Sequence, residues 1–278
     1  MLPSTHTAQH AERDRLSVLL AVTLVSATLF RFVEIPDFVW GVRQVFGSPL
    51  SFTFDSDWML SLLMMGLVAT GTLSLMQGHP LYKTRERGVV FFLIVPALGA
   101  LLISLLLVQA QLWPVWMATL LLGALLLGLL IHLSYRAFSP ESPGYPSART
   151  LLNIIDYLVG FLLFSLVLQS QDRALVTGPA IFLLSGLLAL ELLSATGAAI
   201  KDVALFSGII ALLTAQMAWV FGFWNISAWT AATLLTLGLY LWSGIGYQYL
   251  LDRLTRQVVL EFVLVVALML ALVLWIRP

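Results

Sequence analysis

The chain has 278 residues, of which 60% are hydrophobic and only 10% charged, whereas about a quarter of an ordinary soluble domain is charged. With a mean hydropathy of +0.98, it reads as an integral membrane protein. Fourteen basic and fourteen acidic side chains cancel, and there is no cysteine, so nucleic acid is not an expected partner, and disulfides, thiolate metal sites and cysteine nucleophiles are excluded.

A spanning helix needs about 20 mostly apolar residues. Nine stretches approach that length, at 16–33, 58–77, 88–108, 113–135, 151–170, 177–195, 200–221, 227–249 and 258–276. They leave loops too short to fold as separate domains, so residues 1–278 form one membrane domain. The spans are rich in Leu, Ala and Gly and lack the ten-residue alternation of a transmembrane barrel. The expected fold is therefore all-α, a polytopic transmembrane bundle of nine spans.

The first span follows Arg13 and Arg15 directly and has no small-residue cleavage pattern, so it is expected to remain as a signal anchor. Between it and the second span, Glu34 to Asp57 mixes aromatic and charged residues, and Leu50 to Asp55 alternates with period two. This segment is expected to lie along the membrane surface as an amphipathic connector, with a lid or docking surface as the alternative. In the third span Pro96 should kink the helix. Gln109 to Leu112 should turn the chain tightly into the fourth span, with Pro114 in its first turn, where the missing N–H costs nothing. Arg136 to Arg149, with Pro140, Pro143, Gly144 and Pro146, reads as a flexible linker. Thr177-Gly178-Pro179 reads as the cap and start of the sixth span. Asn225-Ile226-Ser227 has the form of a glycosylation sequon, which matters only in a secretory eukaryotic host.

Basic side chains are retained on the cytoplasmic side during insertion. One register gathers Arg13, Arg15, Lys83, Arg85, Arg87, Arg136, Arg149, Lys201, Arg253 and Arg256 on one side, and leaves Arg31, Arg43, Arg173 and Arg277 on the other. In that register every tryptophan except Trp242 lies toward an outer end, as an interfacial aromatic belt requires. The N-terminus is expected in the cytoplasm and the C-terminus outside. The expected location is the bacterial inner membrane.

Ionisable groups inside spans cost about 2.5–3.5 kcal/mol each at mid-helix, and so mark candidate sites. Four qualify here: His132, Asp156, Glu191 and Glu261. Glu261 starts its span, where a carboxylate suits the helix N-terminus. Glu191 is about one turn from the end of its span and is expected to snorkel to the interface. His132 and Asp156 each sit on a stripe of small residues, Ala124-Gly128-His132 and Asn153-Asp156-Gly160, the pattern of a buried face in a membrane. At 1.5 Å per residue they lie about 6 and 10 Å inside the same boundary. They are the candidate buried polar pair, which would fix helix register or, alternatively, handle a proton or ligand. Asn153, Glu191 and Lys201 are its possible neighbours. Lys201, Ala204, Gly208, Ala211 and Ala215 form a third small-residue stripe, expected to pack closely, and Lys201 could neutralise Asp156 or bind a lipid phosphate.

Other chemistries are not expected. Only His132 among four histidines lies within a span, which leaves no bis-histidine haem pair or clustered metal site. No G-x-S-x-G elbow, H-E-x-x-H pair or P-loop occurs, and neither lysine is mid-span. No catalytic residue, cofactor or metal is anticipated.

Gly66-Leu67-Val68-Ala69-Thr70-Gly71-Thr72 through Gly78-His79-Pro80, with the aromatic alternating segment before it, resembles an uncharacterised family of bacterial multi-spanning membrane proteins. The resemblance implies no activity, substrate or site residues. The function expected is therefore that of a non-catalytic membrane protein, a structural or accessory subunit of a larger assembly, in contact with the lipid bilayer and with other membrane subunits or itself. A transporter of a small solute, lipid or proton using the inner-half polar groups is the alternative, and a lipid-modifying membrane enzyme the third.

Overall fold

Where no water reaches the backbone, a chain must close its own hydrogen bonds, and a single segment can do so only as a helix. The computed structural model describes residues 5–32, 38–45, 48–54, 56–79, 82, 88–141, 144–170, 174–224 and 226–276. Among them each apolar run is helical: α1 (Thr5–Phe32), α2 (Ser56–Gln77), α3 (Val89–Gln109), α4 (Trp113–Ala137), α5 (Tyr145–Gln169), α6 (Ala174–Ser194), α7 (Ile200–Phe221), α8 (Ala228–Leu250) and α9 (Arg256–Ile276). Seven of these, α2 to α8, are long and apolar enough among the described residues to cross a membrane.

One element departs from an all-helical chain. Residues Phe38–Val45 (β1) and Ser48–Phe54 (β2) pair antiparallel, with Phe38 opposite Phe54, Trp40 opposite Phe52 and Val45 opposite Ser48. The register shifts between Trp40 and Val42, so the extra residue, Gly41, makes a bulge. The period-two run from Leu50 is therefore a strand of a hairpin, a local correction to the expected all-α fold. The expected orientation of the Trp40, Phe52 and Phe54 side chains lies outside the described residues.

Two helix boundaries also differ from expectation. α5 starts at Tyr145, so Pro146 opens its first turn and Arg149 is helical instead of part of a linker. Pro at the start of a helix forfeits no intrahelical bond, which is why the Pro-rich stretch ends in a helix. α6 begins at Ala174 and runs through Pro179, which lies in its second turn and not at its start. α3 continues through the buried Pro96. Pro114 sits in the first turn of α4, as the sequence leads one to expect.

The chain divides into two compact units, Met1–Ala148 and Arg149–Pro278. In the first, α1 packs on α2 and α4, and α3 packs on both α2 and α4. Leu19, Met64, Val68, Ile103 and Leu127 belong to one buried cluster. Glycines set the closest approaches: a Cβ on Gly123 would lie 2.7 Å from Ile103 Cγ2, and one on Gly99 2.5 Å from Leu130 Cδ1, the small-residue packing that membrane helices favour. Ser61 and Ser104 hydrogen bond across α2 and α3 at 3.0 Å. Thr23, Thr72 and, in the second unit, Thr214 and Ser185 donate to carbonyls four residues back, which satisfies each buried hydroxyl within its own helix.

In the second unit α7 packs on α6 and α8, α6 also meets α8, and α9 packs on α8. Leu163, Phe164, Ile181, Leu188, Leu235 and Leu239 are buried there. The expected α7 stripe is only partly a packing face. Lys201, Ala204 and Gly208 are exposed and nothing lies within 4 Å of a Cβ on Gly208, whereas Ala211 is buried 3.2 Å from where a Gly186 Cβ would sit. The buried face of α7 runs instead through Val203, Ser207, Ile210, Thr214 and Ala218.

Candidate functional site

The second unit's buried charge is built where two antiparallel helices come close. On α5, Asp156 and Gly160 are buried and Asn153 half-buried, so the small-residue stripe is an interior face as expected. A Cβ on Gly160 would stand 2.8 Å from Leu188 Cδ1, and this approach draws α6 against α5. One turn beyond Leu188 is Glu191, and one turn before Gly160 is Asp156, so the packing of an apolar side chain on a glycine brings the two carboxyls together.

Arg149 completes the group. Its Nη1 donates to Glu191 Oε1 at 2.5 Å and its Nη2 to Oε2 at 3.3 Å, a fork matched to the carboxylate plane. Nη2 also reaches the carbonyls of Glu191 and Leu192 at 3.1 and 3.4 Å. A cation on the last carbonyls of a helix opposes the negative end of its dipole. Exposures of 8% for Arg149, 1% for Glu191 and 0% for Asp156 leave the pair and its neighbour out of solvent. The Asp156 carboxyl lies within hydrogen-bond reach of the Glu191 carboxyl and near the Arg149 charge. Among the described residues neither Asp156 oxygen has a hydrogen-bond donor, and Asn153 Oδ1 is likewise buried without one.

Beside Asp156, the Tyr157 hydroxyl and Ser243 Oγ on α8 hydrogen bond at 2.8 Å, and the Tyr157 and Tyr240 rings meet edge-on with centroids 5.6 Å apart. Phe161 meets Trp229 farther along α5. These contacts hold α5 against α8 and fix the rotation that points Asp156 inward.

Of the other residues singled out from the sequence, His132 belongs to the first unit and Lys201 and Glu261 to the second. His132, Lys201 and Glu261 are exposed on α4, α7 and α9. The cation beside Asp156 is Arg149, and the residue from the candidate set that meets Asp156 is Glu191. The snorkelling expected of Glu191 is corrected by its burial and its ion pair. Sequence reasoning used Arg149 only as a marker of sidedness. Its spacing from Asp156, seven residues or about two turns along one helix face, carried the signal.

Two further features bear on function. In the first unit, His79 lies just after α2 and meets the rings of Tyr135 and Phe138 edge-on, at 4.8 and 5.0 Å between centroids. Burial lowers its pKa below the ordinary 6.5. In the second unit, a cavity of about 350 Å³ is lined by Thr177, Gly178, Trp219, Gly222, Trp224 and Ala228 among others, at the ends of α6, α7 and α8 opposite the charged group. Phe164, Ile181 and Leu235, which lie between the two along their helices, are fully buried.

No curated protein and no solved structure is similar to this chain at a significant level. A family of proteins of unknown function, DUF5656, matches residues 39–276. The seven apolar helices and the extent of that match support one statement of identity: the chain is a multi-pass membrane protein belonging to the family described as protein of unknown function (DUF5656).

Proposed function

We propose that the protein is a non-catalytic accessory subunit of an inner-membrane assembly, spanning the membrane nine times with its N-terminus in the cytoplasm. The observation that carries the subunit reading is the surface of α9. Its Leu260, Leu264 and Leu268 are exposed along one side, and Val263 and Leu270 widen that side, while the helix packs on α8 through Phe262, whose ring meets the backbone at Gly244. A helix held from one side offers the other to a foreign helix or to lipid. The sidedness draws support from Trp58, Trp113, Trp219, Trp224 and Trp229, which are exposed at the starts of α2, α4 and α8 and at the end of α7. In the first unit these are the starts of alternate helices, and in the second the end of one helix and the start of the next, so within each unit they fall on one side, as an interfacial belt requires.

Photo-crosslinking from Leu264 and Leu268 in native membranes, with mild-detergent purification beside it, tests this. A discrete crosslinked partner that co-purifies is expected. Crosslinks to lipid alone, with a chain that purifies by itself, overturn the reading.

A carrier of a small cation is the second reading, favoured by the buried charge at Arg149, Asp156 and Glu191. It requires water to reach that group, and the buried Phe164, Ile181 and Leu235 stand between it and the cavity near Trp219. Uptake driven by an ion gradient in reconstituted vesicles separates the two readings.

A further inference from the structure

We propose that the facing carboxyls of Asp156 and Glu191 bind one monovalent cation, either a proton shared between them or a sodium ion. This rests on neither functional reading, since a subunit and a carrier can each hold such a site. The first ground is charge. One guanidinium stands beside two carboxyls that are 0% and 1% exposed, and Arg149 directs both arms of its fork at Glu191. A second, uncompensated carboxylate among buried helices is costly, and one added positive charge makes the group neutral.

The second ground is hydrogen bonding. The group within reach of the Asp156 oxygens is another carboxyl, an acceptor when ionised, and no donor among the described residues serves either oxygen. Two acceptors face each other, and a proton or a cation between them both satisfies the oxygens and neutralises the second charge. Asn153 Oδ1, buried without a donor one turn away on the same helix, supplies a further oxygen on that face. Oxygen-only donors suit hard cations. From α8 the group is approached by hydroxyls, Ser243 bonded to Tyr157 and the ring of Tyr240 behind it, so α8 brings no competing charge. Ionisable groups so placed inside membrane helices are typical of ion and proton sites.

The test uses the whole protein purified in mild detergent. Infrared difference spectra in sodium-free choline buffer at neutral pH read the proton: a carboxylic-acid C=O band that shifts in heavy water is expected, and it should be lost in Asp156→Asn and in Glu191→Gln. Thermal unfolding in sodium chloride against choline chloride at equal ionic strength reads sodium: a rise in midpoint specific to sodium is expected if the metal ion is the occupant, and it too should be lost in both variants. The band supports the proton and the midpoint shift supports sodium. Wild-type protein showing neither signal overturns the proposal, as does a signal that survives in either variant. Should Asp156→Asn fail to fold, the wild-type spectra and Glu191→Gln still decide.

Discussion

Arg149 and Glu191 are ion-paired, yet their removal should have unequal effects. Arg149→Met deletes the one cation of the group among the described residues. It loses both arms of the fork to Glu191 and the bonds to the Glu191 and Leu192 carbonyls, and it leaves two buried acids facing each other. Breaking a buried pair by removing one partner costs about 3–5 kcal/mol, and the two helix-end carbonyls add to the loss. Glu191→Gln is different. The Gln side-chain oxygen can still accept from Arg149, the guanidinium keeps its carbonyl bonds, and Asp156 becomes the single carboxylate matched to a single cation. The cost should stay near that of one weakened hydrogen bond to a charged group, about 1.5–3 kcal/mol. Unfolding in detergent, followed by tryptophan fluorescence and by loss of the monodisperse peak in size-exclusion chromatography, should therefore rank wild type above Glu191→Gln and Glu191→Gln above Arg149→Met. Equal losses, or a larger loss for Glu191→Gln, would refute the charge accounting at this site.

Glycine substitutions should sort by the space around each Cβ. Gly123→Ala meets the β-branched Ile103 at 2.7 Å and should destabilise by about 1–3 kcal/mol, recovered in part by Ile103→Ala, whereas Gly208→Ala meets nothing within 4 Å and should be neutral or stabilise by up to about 1 kcal/mol; thermal midpoints of the three variants check this. The pH dependence at His79 follows from its lowered pKa. The unfolded chain binds the proton more tightly, so the contribution of neutral His79 is fully present above 6.5 and is lost as pH falls from there through the lower folded value. His79→Phe, which preserves a ring against Tyr135 and Phe138, should flatten the decline in midpoint below pH 6.5, and an unchanged decline would assign it to other groups. Reporters active only in the periplasm should be active when fused to the C-terminus and silent at the N-terminus, and both ends on one side would reject nine spans.

What the sequence by itself determined was where the chain is helical and how deep each polar group lies. Hydrocarbon forces every backbone bond to be closed within a segment, so the length of an apolar run reads directly as a helix, and a rise of 1.5 Å per residue converts position into depth. The alternation from Leu50 was legible for the same reason, as a period of two, while its partner strand was hidden by the bulge at Gly41, which breaks that period. Depth, however, is one coordinate of three. His132 and Asp156 each sit on a small-residue stripe of their own helix, about 6 and 10 Å inside the same boundary, and depth alone does not say which face of a helix is turned inward. That rotation was decided by packing. Leu188 seated on Gly160, and Tyr157 bonded to Ser243, turn Asp156 inward and bring Glu191 to it. Arg149 is the same case: its basic charge, read along the chain, marks a side of the membrane, and only the fold of α5 against α6 turns it into the partner of a buried acid, because the energy of a buried charge depends on neighbours that are 42 residues apart in sequence.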